Sequence, residues 1–439
     1  MSSDSTATTD TDCPILPTEP DRISQTTETA QTIEATRKPL WRNREYLLIE
    51  GGAMISGLGT QISHLAFPLL VLALTGSPAQ AGLVGTLRAM PYLLLALPAG
   101  ALVDRWNRRT VMLLCDSGRA LFLGGVAVAL AFNALALPFI YAAALGEGML
   151  GVVYSLASIA CLPRVVPKEQ LPQAYAWSAV DAGSSSLAGP PLGGLLYALG
   201  RGLPFLADAV SYVISVTALF FVRAPLQGER TAPREPMARE IRVGLAWLWR
   251  HPTIRLLAIM SGLINIVVPE ASALLIIVLA HQQHAPSSLI GLIFAGIGLG
   301  YILGSVLVGI VRKYVPFRVI MPVSCWLYAL CWGGYALGAG NLVVLAIVST
   351  LFSVADPLYD ITQFSYRMAL IPDELQGRVN SVYRMIARAT PPLGLALTGI
   401  LLQQAGAILT IAVLGVFPLA MAILATTSRA IRAAPEHGK

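Results

Sequence analysis

Residues Gly100–Arg109 read GALVDRWNRR, a knot of one acid and three arginines in a gap between two apolar runs, 80–102 and 110–132. Charge near a bilayer is costly, so its placement carries information. The chain around it has 439 residues, of which 55% are hydrophobic and only 12% charged. Soluble domains carry about 25% charged residues, so lipid rather than water is the main solvent here. A transmembrane helix needs about 20 mostly apolar residues. Twelve segments qualify: 46–73, 80–102, 110–132, 137–162, 173–198, 203–222, 255–280, 287–311, 318–338, 341–366, 379–403 and 407–427. The expectation is an all-α integral membrane protein of twelve transmembrane helices.

The net charge of +6 is best read by location. Basic residues gather in alternate loops: before the first span (Arg37, Lys38, Arg42, Arg44), at Arg105, Arg108 and Arg109, at Arg164 and Lys168, and through the middle loop. They return at Arg312, Lys313 and Arg318, at Arg367 and Arg378, and at Arg429, Arg432 and Lys439, whereas the intervening loops hold essentially only Arg201. The positive-inside rule then places both termini and the middle loop in the cytoplasm, with the protein in the cytoplasmic membrane. Arginines dispersed along a membrane face argue against a nucleic-acid partner. Residues 1–45, rich in Ser, Thr and acids, read as a disordered cytoplasmic tail. Cys13, Cys115, Cys161, Cys325 and Cys331 show neither metal nor disulfide spacing, and no cofactor is expected.

The longest polar interruption, 223–254, divides the spans six and six. Within it, MAREIRVGLAWLWRHP (237–252) reads as an amphipathic helix at the membrane surface, with Trp247 and Trp249 at the interface. This organisation gives a tail (1–45), a first bundle (46–222), a linker (223–254), a second bundle (255–428) and a short cytoplasmic tail (429–439). The halves echo each other at an offset of about 209: Gly82-Leu83 with Gly291-Leu292, Gly100 with Gly309, and RTVM (109–112) with RVIM (318–321). VPKEQ (166–170) likewise echoes IPDEL (371–375). Two parallel repeats about an axis along the membrane normal are a carrier design, with the binding site between them.

The pattern Gly100-x3-Asp104-Arg105-x2-Arg108-Arg109 resembles the loop signature, motif A, of the major facilitator superfamily, with Asn107 where that pattern prefers glycine. The resemblance implies a latch: Asp104 would hold the start of span eleven, near Gly377 and Arg378, in the outward-facing state. A helix N-terminus favours such a carboxylate, and the arginines would pair across the seam. A plain anchor explains the arginines but not the acid among them. The second copy, GIVRKYVPFR (309–318), has Lys313 in the acid's place. In span five, GSSSLAGPPLGG (183–194) resembles the antiporter signature, motif C, through Gly189, Pro190, Gly193 and Gly194, with Ser185 at the upstream glycine. Such residues permit close approach and bending. The glycines at 296, 300 and 304 read as ordinary small-residue packing. From about 40 to 428 the chain resembles the branch of the superfamily that includes enterobactin exporters and macrolide efflux pumps. LVLALTGSPAQAGLV (70–84), DSGRALFL (116–123), LADAVSYVIS (206–215) and GRVNSVYRM (377–385) carry that likeness.

An ionisable side chain inside a span is a functional candidate by default. Glu147, in LGEGML at the middle of span four, is the deepest acid and is flanked by glycines expected to expose it. The arginine that related exporters place in span four (their motif B) is absent. Asp181 precedes the Gly-Pro core of span five, within reach of the same cavity, and Glu270 lies in the outer half of span seven. These three acids are the candidate proton carriers, each equally readable as a neutral hydrogen-bonded packing group. His64, alone in span one, reads first as a hydrogen-bonded core residue. Asp356 and Asp360 share a face of span ten, and Arg88 lies in span two. Asp116 with Arg119, and Arg384 with Arg388, read as a charge network near the cytoplasmic ends that supports the latch. Tyr154, Trp177, Trp326 and Tyr359 are the candidate lining of a drug-accepting cavity.

Together these features point to a monomeric carrier that exchanges protons for a small organic molecule across the lipid bilayer. The resemblance implies export. An importer of the same fold and a non-transporting sensor or lipid-handling protein are the alternatives. No Gly-x4-Gly-Lys-Ser/Thr loop is present and no His–carboxylate cluster has metal or nucleophile spacing, so ATP-driven export and enzymatic chemistry are not expected.

Overall fold

The structure, a computed structural model, describes residues 39–103, 105–224, 226–227, 237–268 and 270–432. Of the predicted tail 1–45, residues 1–38 lie outside the described residues, as does Asp104, while Leu40–Arg42 form a single 3-10 turn and the first long helix already opens at Arg44. Long helices dominate: α1 (Arg44–Thr75), α2 (Pro78–Val103), α3 (Arg108–Ala131), α4 (Leu137–Val165), α5 (Leu171–Leu199) and α6 (Leu203–Phe220). A linker helix α7 (Met237–Arg250) precedes α8 (Pro252–Val267), α9 (Glu270–Gln282), α10 (Ser287–Tyr314), α11 (Phe317–Gly338) and α12 (Leu342–Leu370). The chain closes with α13 (Asp373–Ala389), α14 (Pro391–Thr427) and the single turn α15 (Arg429–Arg432). Among the described residues there is no strand, and nine helical stretches are long and apolar enough to cross a membrane. Their outward side chains are large and apolar, Leu121, Phe132, Leu330 and Leu337 among them. Such a surface needs lipid to cover it.

The predicted segments fall on these helices, with three joins drawn differently. Segment 255–280 is broken: Val268 is extended (φ −125°, ψ 140°), and the helix restarts at Glu270. Segment 379–403 is interrupted at Thr390, where Pro391 opens α14, because a proline lacks the N–H a continuing helix needs. The turn between segments eleven and twelve lies inside α14, at Gly406, whose φ of +74° and ψ of 177° suit glycine.

In the first half, α2 packs on α4, α3 on α4 and on α6, while in the second α10 packs on α12 and α11 on α12 and α14. Across the halves the main contacts are α5 with α10 and α2 with α14. Both are glycine on glycine. A methyl built on Gly82 would stand 3.0 Å from the Gly399 Cα, and one on Gly194 only 2.8 Å from the Gly291 Cα. Gly82 and Gly291 are the residues paired by the internal repeat, so the same join is made twice, at the end of the bundle away from the arginine loops. The motif C glycines divide their work: Gly189 and Gly193 lie on Gln61 and Ile62 of α1, and Gly194 meets α10. The glycines of α10 are packing residues as expected, with Gly300 on the Thr350 carbonyl and Gly304 on that of Val354 in α12.

The linker helix has a partner in the second half. α7 packs along α13, with Gly244 positioned so that a methyl would come 2.6 Å from the Arg378 carbonyl oxygen. Leu248 is fully buried and Trp247 stacks on His251 at 3.8 Å, leaving Trp249 as the exposed indole of the pair. Both helices are amphipathic, and each covers the other's apolar stripe.

The glycine seams predict a position-specific cost. Gly194→Leu should lower stability by about 1–3 kcal/mol through overpacking, seen as a reduced melting temperature in detergent. Gly183→Leu, on the same helix in open space, should leave it nearly unchanged.

Candidate functional site

Between the halves lies a cavity of about 870 Å³. Its first-half wall carries Thr60, His64, Arg88, Arg119 and Glu147, and its second-half wall Glu270, Asp356, Asp360, Arg384 and Arg388. Tyr92, Tyr301, Tyr328 and Tyr359 supply aromatic surface.

Glu147 organises the first wall. It is 3% exposed and accepts from Arg88 Nε at 2.5 Å and from Arg119 Nη2 at 2.9 Å. Arg119 also reaches Asp116 at 3.3 Å and the Thr60 hydroxyl at 3.1 Å, and it lies over the Tyr212 ring at 4.1 Å. Arg88 further donates to the Thr60 carbonyl at 3.2 Å and to Ser63 Oγ at 3.4 Å. Three helices deliver these groups at mid-length, so the ions meet where water is scarcest and must satisfy one another. The glycines beside Glu147 do not expose it: Gly148 admits the Arg88 backbone and Gly146 the Phe122 ring. Asp116 and Arg119 therefore belong to this central cluster rather than to a latch at the cytoplasmic ends.

The second wall is differently built. Tyr328 donates to Asp356, while Asp360, one turn on, is exposed to the cavity. Arg367 is 4% exposed, stacked on Tyr383 at 3.6 Å and bonded to Gln363 at 3.4 Å. Read from sequence as a loop base, it is a buried helix residue on the cavity, since α12 runs on to Leu370. Arg384 and Arg388 also face the cavity, Arg388 lying over Tyr92 of the other half at 5.8 Å. They too leave the expected latch network.

Among the described residues, one histidine–carboxylate contact joins the halves. His64 Nε2 of α1 stands 3.0 Å from Glu270 Oε2, and the break before α9 puts that carboxylate at a helix N-terminus, where the dipole favours it. The lone histidine is thus a contact between the halves rather than a core residue of the first.

Asp181 does not reach the central cavity. It lines a separate space of about 230 Å³ between α1, α4 and α5, together with Glu50, Tyr175 and Tyr154. Ser178 donates to Glu50 at 2.5 Å there. Of the four proposed aromatic lining residues, only Tyr359 lines the central cavity. Tyr154 packs against Ser215 in the first half, Trp177 is exposed on α5, and Trp326 donates to Thr426 at 3.0 Å.

At the arginine loop the side chains cap helices of their own half. Arg108 donates to the carbonyls of Ala160 (2.7 Å) and Leu226 (3.3 Å), and Arg109 to those of Leu219 (3.1 Å) and Phe220 (2.6 Å). Cations suit those C-terminal carbonyls. Asn107 caps α3, accepting from the backbone N–H groups of Arg109 and Thr110. Arg105 is exposed, and Gly100 and Gly377 both border open space.

Sequence reasoning passed over two acids that the fold turns inward, one buried and one half-buried. Asp208, in LADAVSYVIS, is fully buried on α6, and Glu50 sits in the smaller cavity. An acid in an apolar run was the available signal for both. Among the described residues no group of three His, Cys, Asp or Glu side chains is placed to hold a metal.

Comparison with known proteins places this geometry. The profile of a family described as transmembrane secretion effector matches residues 38–437. The multidrug efflux pump Tap of Mycolicibacterium fortuitum is 28% identical over 375 residues, covering 82% of this chain and 90% of that one. The enterobactin exporter EntS of Citrobacter koseri is 27% identical over 358 residues, covering 79% and 82%. Among solved structures, a bacterial homologue of the iron transporter ferroportin in an inward-facing state superposes with a TM-score of 0.71 at 18% identity, over 88% of this chain and 98% of that one. A bacterial homologue of the lysosomal transporter Spinster, inward-facing and unoccupied, gives 0.72 at 13% identity, over 91% and 98%.

Removing the central carboxylate should be expensive. Glu147→Gln leaves Arg119 with Asp116 alone and Arg88 with no carboxylate within ion-pair distance among the described residues, at a cost of about 3–5 kcal/mol. Thermal unfolding in detergent should show the loss, and Glu270→Gln, at a half-exposed pair, should show much less.

Proposed function

This chain belongs to the transmembrane secretion effector family of major facilitator transporters, and we propose that it is a proton-coupled exporter of small organic molecules. The observation that carries the proposal is the cavity itself. It is large enough for a drug-sized molecule, aromatic on one side, and bordered by a buried network of ionisable groups within hydrogen-bond reach of its contents. A proton arriving in that network changes the charge of the wall that cargo touches, which is the physical requirement for coupling the two movements. The relatives named as an efflux pump and an exporter support the outward direction. Asp360, Tyr92 and Tyr301, the exposed acid and rings of the cavity, suit a planar, positively charged aromatic cargo through ion pairing and stacking.

Alternating access follows from the two seams. The glycine contacts close the end away from the arginine loops, so cargo reaches the cavity from the cytoplasm, where the positive-inside rule puts those loops. The His64–Glu270 pair and the glycine joins must then part for release, while motif A and span eleven approach. Asp104 is proposed to make its latch in that second state, with the cytoplasmic arginines already held to their own helices as caps.

The test uses inside-out membrane vesicles energised by respiration, with ethidium as the probe cargo. Uptake is expected only in vesicles containing the protein and is expected to vanish when a protonophore collapses the gradient. Uptake that survives the protonophore, or ethidium driven along the proton flow, would sink the antiport reading.

A further inference from the structure

Asp208 has no part in the cavity wall, yet it is among the most deeply buried acids of the molecule. It is 0% exposed on α6. Its Oδ1 accepts from Ser211 at 3.3 Å, and its Oδ2 has no hydrogen-bond donor among the described residues. No guanidinium lies within ion-pair distance of it, although Arg88 and Arg119 both act on it from α2 and α3. α4 contributes Glu147 to its surroundings, α6 contributes Tyr212, and α1 contributes Ser63. α1 passes directly above the carboxyl because Gly59 has no side chain: a methyl there would overlap Ser211 and Asp208.

The charges of this buried group do not balance. Two guanidiniums, Arg88 and Arg119, face three carboxyls, Glu147, Asp116 and Asp208. Glu147 holds both arginines and Asp116 holds Arg119, which leaves Asp208 as the acid with no cation of its own. An unbalanced charge buried at this depth costs several kcal/mol, and a neutral carboxyl removes that cost. We propose that Asp208 is the carboxyl that carries the exchanged proton, with Glu147 serving as the permanent counter-ion of the two arginines. The proposal rests on the antiport reading above and names the group that performs it.

Loaded, Asp208 has an O–H bond and the cluster is neutral. Release breaks that bond, leaves the electron pair on the carboxylate, hands the proton to cavity water and takes the cluster to −1. Two hydroxyls of α1 lie between Asp208 and the cavity. Ser63 lies beside Asp208 and accepts from Arg88, and Thr60, one turn earlier on α1, lines the cavity and bonds Tyr212 at 2.8 Å. A change of −1 beside Arg88 and Arg119 loosens or tightens the hold of Glu147 on them, and those are the groups that cargo meets.

Two measurements on the full-length protein in proteoliposomes test this. Infrared difference spectra between acid and neutral pH need no cargo: the wild type should show a protonated-carboxyl stretch that D208N lacks and D356N and D360N keep. In the second, a pH step of one unit sustains about a tenfold ethidium accumulation for one-for-one exchange, which D208N should abolish. D208E should restore accumulation with a displaced pH midpoint. An unchanged carboxyl stretch in D208N overturns the proposal, as does gradient-driven accumulation in that variant. Should D208N fail to fold, the D208E midpoint decides: accumulation at the wild-type midpoint overturns the assignment. A wild type with the Asp208 stretch but no gradient-driven accumulation removes the antiport reading itself and leaves Asp208 as a protonated structural group.

Discussion

Two guanidiniums at mid-length in their helices fix the arrangement of the first half. Neither Arg88 nor Arg119 can be left alone in a low-dielectric interior, and Glu147 is positioned to answer both. That single requirement draws α2, α3 and α4 to one depth, and it explains why α4 has glycine on both sides of the acid. Asp116, Thr60 and Tyr212 then complete the coordination of Arg119 from α3, α1 and α6. The second half answers the same problem more loosely. Arg367 rests on an aromatic face and an amide, which leaves Asp360 open to the cavity. The two walls are thus chemically unequal although the helices that make them are related by a repeat.

The contacts between halves follow another economy. Lipid offers no hydrophobic gain when two apolar helices meet, so association depends on fit, and glycine gives the closest fit. The repeat supplies this contact twice, through Gly82 with Gly399 and Gly291 with Gly194. Among the described residues, one histidine–carboxylate contact, His64–Glu270, is added to it from opposite halves at the cavity. Joins made of van der Waals contact part without stranding a charge. That suits surfaces that must separate and re-form in every cycle.

Much of this was legible before any coordinates. Helix positions followed from apolar run lengths, because a bilayer imposes a length on each span. The depth of Glu147 and the closeness of motif C glycines to neighbouring helices were likewise visible. What failed was orientation around the helix axis. Asp181 was placed by its position before the Gly-Pro core and Tyr154 as a lining aromatic, yet they point between α1, α4 and α5 instead of into the central cavity. Trp177 and Trp326 failed for the same reason. Asp116 and Arg119 were assigned to a helix end because they follow a basic loop, whereas the ladder of α3 had already carried them inward. The partnership of His64 with Glu270 could not be read at all, since it depends on the break at Val268 and on a contact between halves.

The docking of α7 on α13 changes what the connection between halves is. A linker of thirty or so residues would leave the two bundles nearly independent, but with α7 packed on the second half and Leu226 bonded by Arg108 to the first, only 227–236 joins them. Fully extended, ten residues reach roughly 35 Å. The first bundle is therefore on a leash whose anchor is the opening turn of α13, the same turn motif A is proposed to grip. Any tilt of that helix moves the tether and the latch together, so the connection between halves is itself a moving part of the cytoplasmic gate.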